Sequence, residues 1–131
     1  MPDIRAVATD AVIFINDQVV LLERDHSPYE GHWVLPGGLV EPDETTREAC
    51  VREAHEEVGL RVDIIESIGV FDDPDRDERG NISIAYRCRP IHEQSPRAKE
   101  EAKQVDVFDP TDLPQMGFDH EQIITTALRK R

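Results

Sequence analysis

The chain has 131 residues, 28 of them acidic against 15 lysines and arginines, for a formal net charge of −13. That length suits one domain, residues 1–131, burying roughly two-thirds of its unfolded surface without disulfides or metal staples and leaving no space for a second. The charge excludes nonspecific nucleic-acid and anionic-membrane binding, which need basic surface, and no apolar stretch approaches the ~20 residues that span a bilayer.

In chain order, Arg5 to Ile15 and Gln18 to Glu23 are rich in Val, Ile and Ala, and Asn16-Asp17 between them predicts a hairpin turn. His32 to Leu35 predicts a short strand entering Pro36-Gly37-Gly38. Trp33 is expected to be a packing anchor beside that strand, and Phe71, Tyr86, Phe108 and Phe118 carry the same core expectation. Thr45 and Glu48 have capping-box spacing and Gly59 suits the left-handed position past a helix end, so a helix is predicted from about Thr46 to Val58. Val62 to Phe71 and Asn81 to Arg89 follow as strands, Val105 to Phe108 as a short one, and Glu121 to Leu128 as a C-terminal helix starting near Asp119 or His120. Strands alternating with two helices give an α/β class, without repeats, linkers or low-complexity runs. Cys50 and Cys88 lack metal-site spacing and are expected to be buried thiols. The N-terminus lacks a basic-then-apolar signal pattern, so a cytoplasmic location is expected.

The predicted helix carries the chemistry. At about 100° per residue, with Glu53 at zero, Glu57 falls near 40° and Glu56 near −60°, so three carboxylates share one arc. Cys50, Val51, Ala54 and Val58 occupy an adjoining arc suited to packing on a core. Like charges at these spacings repel, and a solvated acidic face or a hard cation relieves them. Carboxylate oxygens suit Mg²⁺ or Mn²⁺, which combine protein carboxylates with substrate phosphate oxygens and water. The neighbours favour the cation: Gly37-Gly38 precede the helix, and adjacent glycines let main-chain carbonyls approach a ligand closely. His55 is expected to face solvent.

Read together, Gly38 to Leu60 spell G-x5-E-x7-R-E-A-x-E-E-x-G-L. This segment resembles the Nudix box at every defining position, with Asp43 standing where a glycine is often found. The resemblance implies a Nudix-type α/β/α sandwich with a mixed sheet, and hydrolysis of a nucleoside diphosphate linked to another group. It further implies that Glu53, Glu56, Glu57 and the Gly38 carbonyl hold metal, that Arg52 holds the carboxylates in place, and that Glu44 pairs with Arg52. Glu57 is the first choice among the box acids for activating water, chiefly as a ligand, while Glu101 or its neighbour Glu100 is the candidate base from a later loop.

Substrate choice lies outside the box. Asp72 to Gly80 is a polar loop whose Arg76 and Arg79 stand out in a chain short of cations, because guanidinium groups grip phosphate in a bidentate fork. P-D-R-D-E-R-G followed by a strand containing Ala85-Tyr86, together with Phe118-Asp119-His120, is similar to the ADP-ribose pyrophosphatase group of Nudix enzymes. Pro74 also lies close to the proline that marks that group. The resemblance implies ADP-ribose as substrate, AMP and ribose 5-phosphate as products, Arg76, Asp77 and Arg79 as contacts, and a homodimer as a common state. A nucleoside triphosphate or sugar-nucleotide pyrophosphohydrolase would use the same helix, and a non-catalytic nucleotide sensor is the reading from another class. Three lysines against twelve arginines, with so many acids, resemble proteins of salt-loving organisms, and a halophilic surface is expected.

Overall fold

The computed structural model describes residues 4–98 and 102–130. Strand β1 (Val7–Ile15) turns at Asn16-Asp17 into β2 (Gln18–Arg24). Both turn residues have positive φ, 49° and 66°, and Ile15 faces Gln18 across the ladder, the two-residue hairpin whose twist matches that of its strands. The short β3 (Trp33–Val34) pairs with β2, and a strand absent from the sequence expectation, β4 (Gly37–Leu39), pairs antiparallel with β1. Glycines rarely advertise a strand. Here they are required by contact, since a Cβ on Gly37 would overlap the Thr9 carbonyl oxygen and one on Gly38 would overlap Glu53 Oε2.

Helix α1 (Thr46–Val58) has both halves of its capping box and ends at Gly59 with φ 72°. Strand β5 (Val62–Phe71) leads to β6 (Ile82–Pro90), followed by β7 (Ala102–Phe108) and α2 (His120–Arg129). The sheet path is β3-β2-β1-β6-β5, with β7 on β2; β1 and β6 are parallel while the other pairs are antiparallel, so the sheet is mixed.

Strand alternation divides the core in two. Ala11, Ile13, Val20 and Leu22 point to one face and pack with Cys50, Ala54 and Val58 of α1. Val12, Val19 and Leu21 point to the other and pack with Ile123, Ile124 and Ala127 of α2. The result is an α/β/α sandwich. Ala49 joins the buried side of α1, whereas Val51 lies just beyond the packing arc and is 37% exposed. Trp33 anchors the α2-side core edge-on against Phe108, and Cys50 and Cys88 are buried free thiols with Sγ atoms 3.8 Å apart. No helix among the described residues is long and apolar enough to cross a membrane.

Candidate active site

One cleft, about 230 Å³ in volume and open to solvent, lies beside β1 between the two helix layers. One wall is the box: Gly37, Gly38, Leu39, Glu53 and Glu57. The other is built from Arg76, Asp77, Arg79 and Asn81 of the loop before β6, with Phe118 and His120 at the start of α2, Arg24 at the end of β2 and His26 just beyond it.

On the box wall Arg52 is the hub. Its Nε and Nη2 donate to the two oxygens of Glu44 at 3.0 and 2.6 Å, and its Nη1 donates to Glu53 at 2.6 Å and Glu56 at 2.7 Å. Nη2 also reaches the Leu39 carbonyl at 3.2 Å. The hydrogen bond from Arg52 holds Glu44 below the usual carboxylate range, and that bond, first among its partners, raises the Arg52 value in turn. Glu53 behaves differently: burial pushes it up to about 7, with the charge of Glu56 adding to the rise and Arg52 only partly offsetting it. Glu57 accepts from the Gly37 N–H at 2.7 Å. Glu56 is half exposed and stands outside the cleft lining, and His55 is exposed.

These residues fit a hard divalent cation. Glu53 fills the space that a Cβ on Gly38 would need, so the glycine backbone and a buried carboxylate share one cradle. A half-buried carboxylate among two others calls for positive charge beyond the single Arg52. Among the described residues no three carboxylate, imidazole or thiol groups converge on one point.

On the opposite wall, the two stretches that sequence singled out bind each other. Arg76, with a side chain 4% exposed, forks onto Asp119 at 2.8 and 2.7 Å and donates to the Asn81 carbonyl at 2.9 Å. Asp77 holds the Arg79 guanidinium at 3.1 and 3.0 Å, yet Arg79 remains 53% exposed and lies 5.8 Å from the Phe118 ring centroid. Arg24 approaches the same ring at 5.4 Å. Phe118 thus departs from the pure core expectation: it sits at φ 52°, packs partly on the α1-side core and lines the cleft between two arginines. Glu100 and Glu101 lie outside the described residues.

Asp10 was not foreseen as a site residue. It is buried, accepts a hydrogen bond from Ser83 Oγ, and faces His120 Nε2 at 3.4 Å and Arg76 Nη2 at 3.9 Å. Burial raises its carboxyl above the ordinary value, against the pull of His120, Ser83 and Arg76. A signal existed in the sequence, since an aspartate inside an apolar strand is rarely buried without partners. Arg24 and His26 offered no comparable signal.

A mixed-sheet α/β/α sandwich with a carboxylate-bearing helix beside a glycine strand defines a class of metal-dependent hydrolase. The chain belongs to the NUDIX domain family, whose model matches residues 4–127, and the family depends on divalent metal. It is 42% identical over 125 residues to the ADP-ribose pyrophosphatase of Methanocaldococcus jannaschii, covering 95% of this chain and 73% of that one. The NUDIX domain of Shewanella oneidensis NrtR, solved with ADP ribose, superposes with a TM-score of 0.85 at 25% identity, covering 98% of this chain and 89% of that one. A bifunctional NMN adenylyltransferase/ADP ribose pyrophosphatase from Francisella tularensis, solved with AMP and a Mn ion, gives 0.77 at 30% identity. There the match covers 97% of this chain but 42% of that one.

Proposed function

We propose that this protein hydrolyses ADP-ribose, with water, to AMP and ribose 5-phosphate. The observation that carries the reading is the shared cleft, in which the box carboxylates face an aromatic ring flanked by Arg24 and Arg79. An anionic diphosphate fits a cleft with cation on both sides, supplied by metal at one wall and by guanidinium at the other. Likeness to the ADP-ribose pyrophosphatase of Methanocaldococcus and to the bifunctional Francisella enzyme supports the choice of substrate.

Glu53, Glu56, Glu57 and the Gly38 carbonyl would hold Mg²⁺, with Mn²⁺ an acceptable substitute. When bound, the metal supplies charge neutralisation at the diphosphate oxygens and a water of lowered pKa. The chain's own residues do the rest. Arg52, fixed by Glu44, sets the positions of Glu53 and Glu56. Glu57, which accepts from the Gly37 amide, is our first choice within the box, chiefly as a ligand, to take the proton of the attacking water, and Glu101 or Glu100 is the candidate from outside the box. One water O–P bond forms, the bridging P–O bond breaks, and the electron pair leaves with the departing phosphate. Arg79 is the exposed guanidinium for a phosphate or terminal ribose, while Arg76 and Asp77 hold the loop that presents it.

The acidic surface suits work in concentrated salt, and two adjacent free thiols suit a reducing, cytoplasmic compartment. The test is incubation with ADP-ribose and Mg²⁺ at low and multimolar salt, with Glu57→Gln as control. AMP and ribose 5-phosphate from the wild type alone support the reading. No product in either salt refutes the substrate and directs the assay to nucleoside triphosphates and sugar nucleotides.

A further inference from the structure

We infer that His120 is a positioning residue that sets the glycine strand of the box, acting as a neutral Nε2–H imidazole wedged between the Leu35 amide and the Asp10 carboxylate. The inference rests on the reading of the box as the working site.

Three backbone groups at the entry to β4 are each pinned differently, the last two being the two ends of the Pro36–Gly37 peptide. The Leu35 N–H donates to His120 Nδ1 at 2.9 Å. The Pro36 carbonyl accepts from the Ala11 N–H at 2.8 Å. The Gly37 N–H donates to Glu57 Oε1 at 2.7 Å. Proline has no N–H, so the amides of Leu35 and Gly37 are the only donors across this step. Their acceptors come from opposite layers of the sandwich, His120 from α2 and Glu57 from α1. The strand carrying Gly38 is therefore held between the two helices, and slack at one end moves the other.

The tautomer follows from the donors. Because Leu35 donates to Nδ1, that nitrogen carries its lone pair and the ring proton sits on Nε2, which faces Asp10 Oδ1. Ser83 and Arg76 steady Asp10 from the other side, and Asp119 and Arg24 are the remaining charged groups acting on the ring. Phe118 leans on the imidazole with ring centroids 5.3 Å apart. His120 is 5% exposed, and burial keeps it neutral, as this pattern of bonds requires.

Three variants separate the two bonds. Asparagine places its amide oxygen where Nδ1 stands and can serve Leu35; glutamine reaches the Nε2 position instead; phenylalanine fills the space and serves neither. His120→Asn is expected to keep kcat within about threefold of wild type. His120→Gln and His120→Phe are expected to lose about 10- to 100-fold in kcat, the scale of a small misplacement of reacting groups, with KM for ADP-ribose moving less than about threefold. Mn²⁺ affinity, titrated by electron paramagnetic resonance without substrate, should fall in the same order. Nitrogen NMR of the wild-type imidazole should show the neutral Nε2–H form near neutral pH.

Equal losses in the Asn and Gln variants, a change confined to KM, or an Nδ1–H tautomer would overturn the inference. If wild type leaves ADP-ribose intact, the substrate assignment fails, while the tautomer and the order of Mn²⁺ affinities still decide the role of His120. Should His120→Gln not fold, the Asn variant's Mn²⁺ affinity and the wild-type tautomer decide it.

Discussion

Arg52 donates hydrogen bonds to three carboxylates with one guanidinium, and a fork of fixed donors is what allows it. Arg52→Lys replaces the fork with a point charge, so kcat is expected to fall at least tenfold in steady-state assays; wild-type turnover would remove Arg52 from the positioning role. Glu57→Gln keeps an oxygen for the Gly37 N–H but loses the charge, so turnover should vanish while Tm changes little. His120 has a pH consequence. Burial depresses its value below 6.5, so folding excludes a proton that the unfolded imidazole takes up. Its contribution to stability is present above about pH 6.5 and is lost as pH falls through the depressed native value. Asp10, raised by burial, acts with the opposite sign, its contribution being lost as pH rises through its native value. The Tm advantage of wild type over His120→Asn should therefore shrink between pH 7 and pH 5, and a constant difference would count against a neutral buried imidazole.

At the scale of elements, β4 and the Arg76–Asp119 tie matter most. Gly38→Ala would drive a Cβ into Glu53 Oε2, so either the strand or the carboxylate must shift. Activity is expected to drop about 100-fold or more with helix content unchanged by circular dichroism. The Arg76 fork joins the loop before β6 to the start of α2, and both partners are largely buried. Breaking it by Asp119→Ala strands a buried cation and should cost about 3–5 kcal/mol in denaturant unfolding. The Arg76→Met/Asp119→Leu double replacement should recover much of that loss, and a strictly additive result would mean that the pair is not coupled.

At the scale of the whole molecule, the acidic surface and the proposed metal site each carry a prediction. Saturating Mg²⁺ or Mn²⁺ binds only the folded chain and should stabilise it by about 2.7 kcal/mol at a hundredfold excess over Kd, a Tm rise of several degrees by calorimetry. That rise should be largely absent in Glu57→Gln. A net charge of −13 repels itself across the surface, and multimolar KCl should raise Tm by screening it. A fall in Tm with salt would refute the halophilic reading.

Sequence by itself determined every element but β4, and with them the acidic helix. Runs rich in Val, Ile and Ala around an Asn-Asp turn mark β1 and β2, capping residues fix both ends of α1, and a rotation of about 100° per residue sets Glu53, Glu56 and Glu57 on one face. These are local properties, carried by neighbours in the chain. Only the tertiary structure decided that β4 is a strand, because glycine pairing depends on what lies across the ladder and above it. It likewise decided that Arg76 is committed to Asp119, 43 residues away, while Arg79 stays exposed. Asp10, Ser83 and His120 meet because β1 and β6 run parallel beneath the start of α2. Such contacts arise from long-range packing, in which a buried polar group takes whatever partner the fold brings to it, and no local spacing encodes that partner.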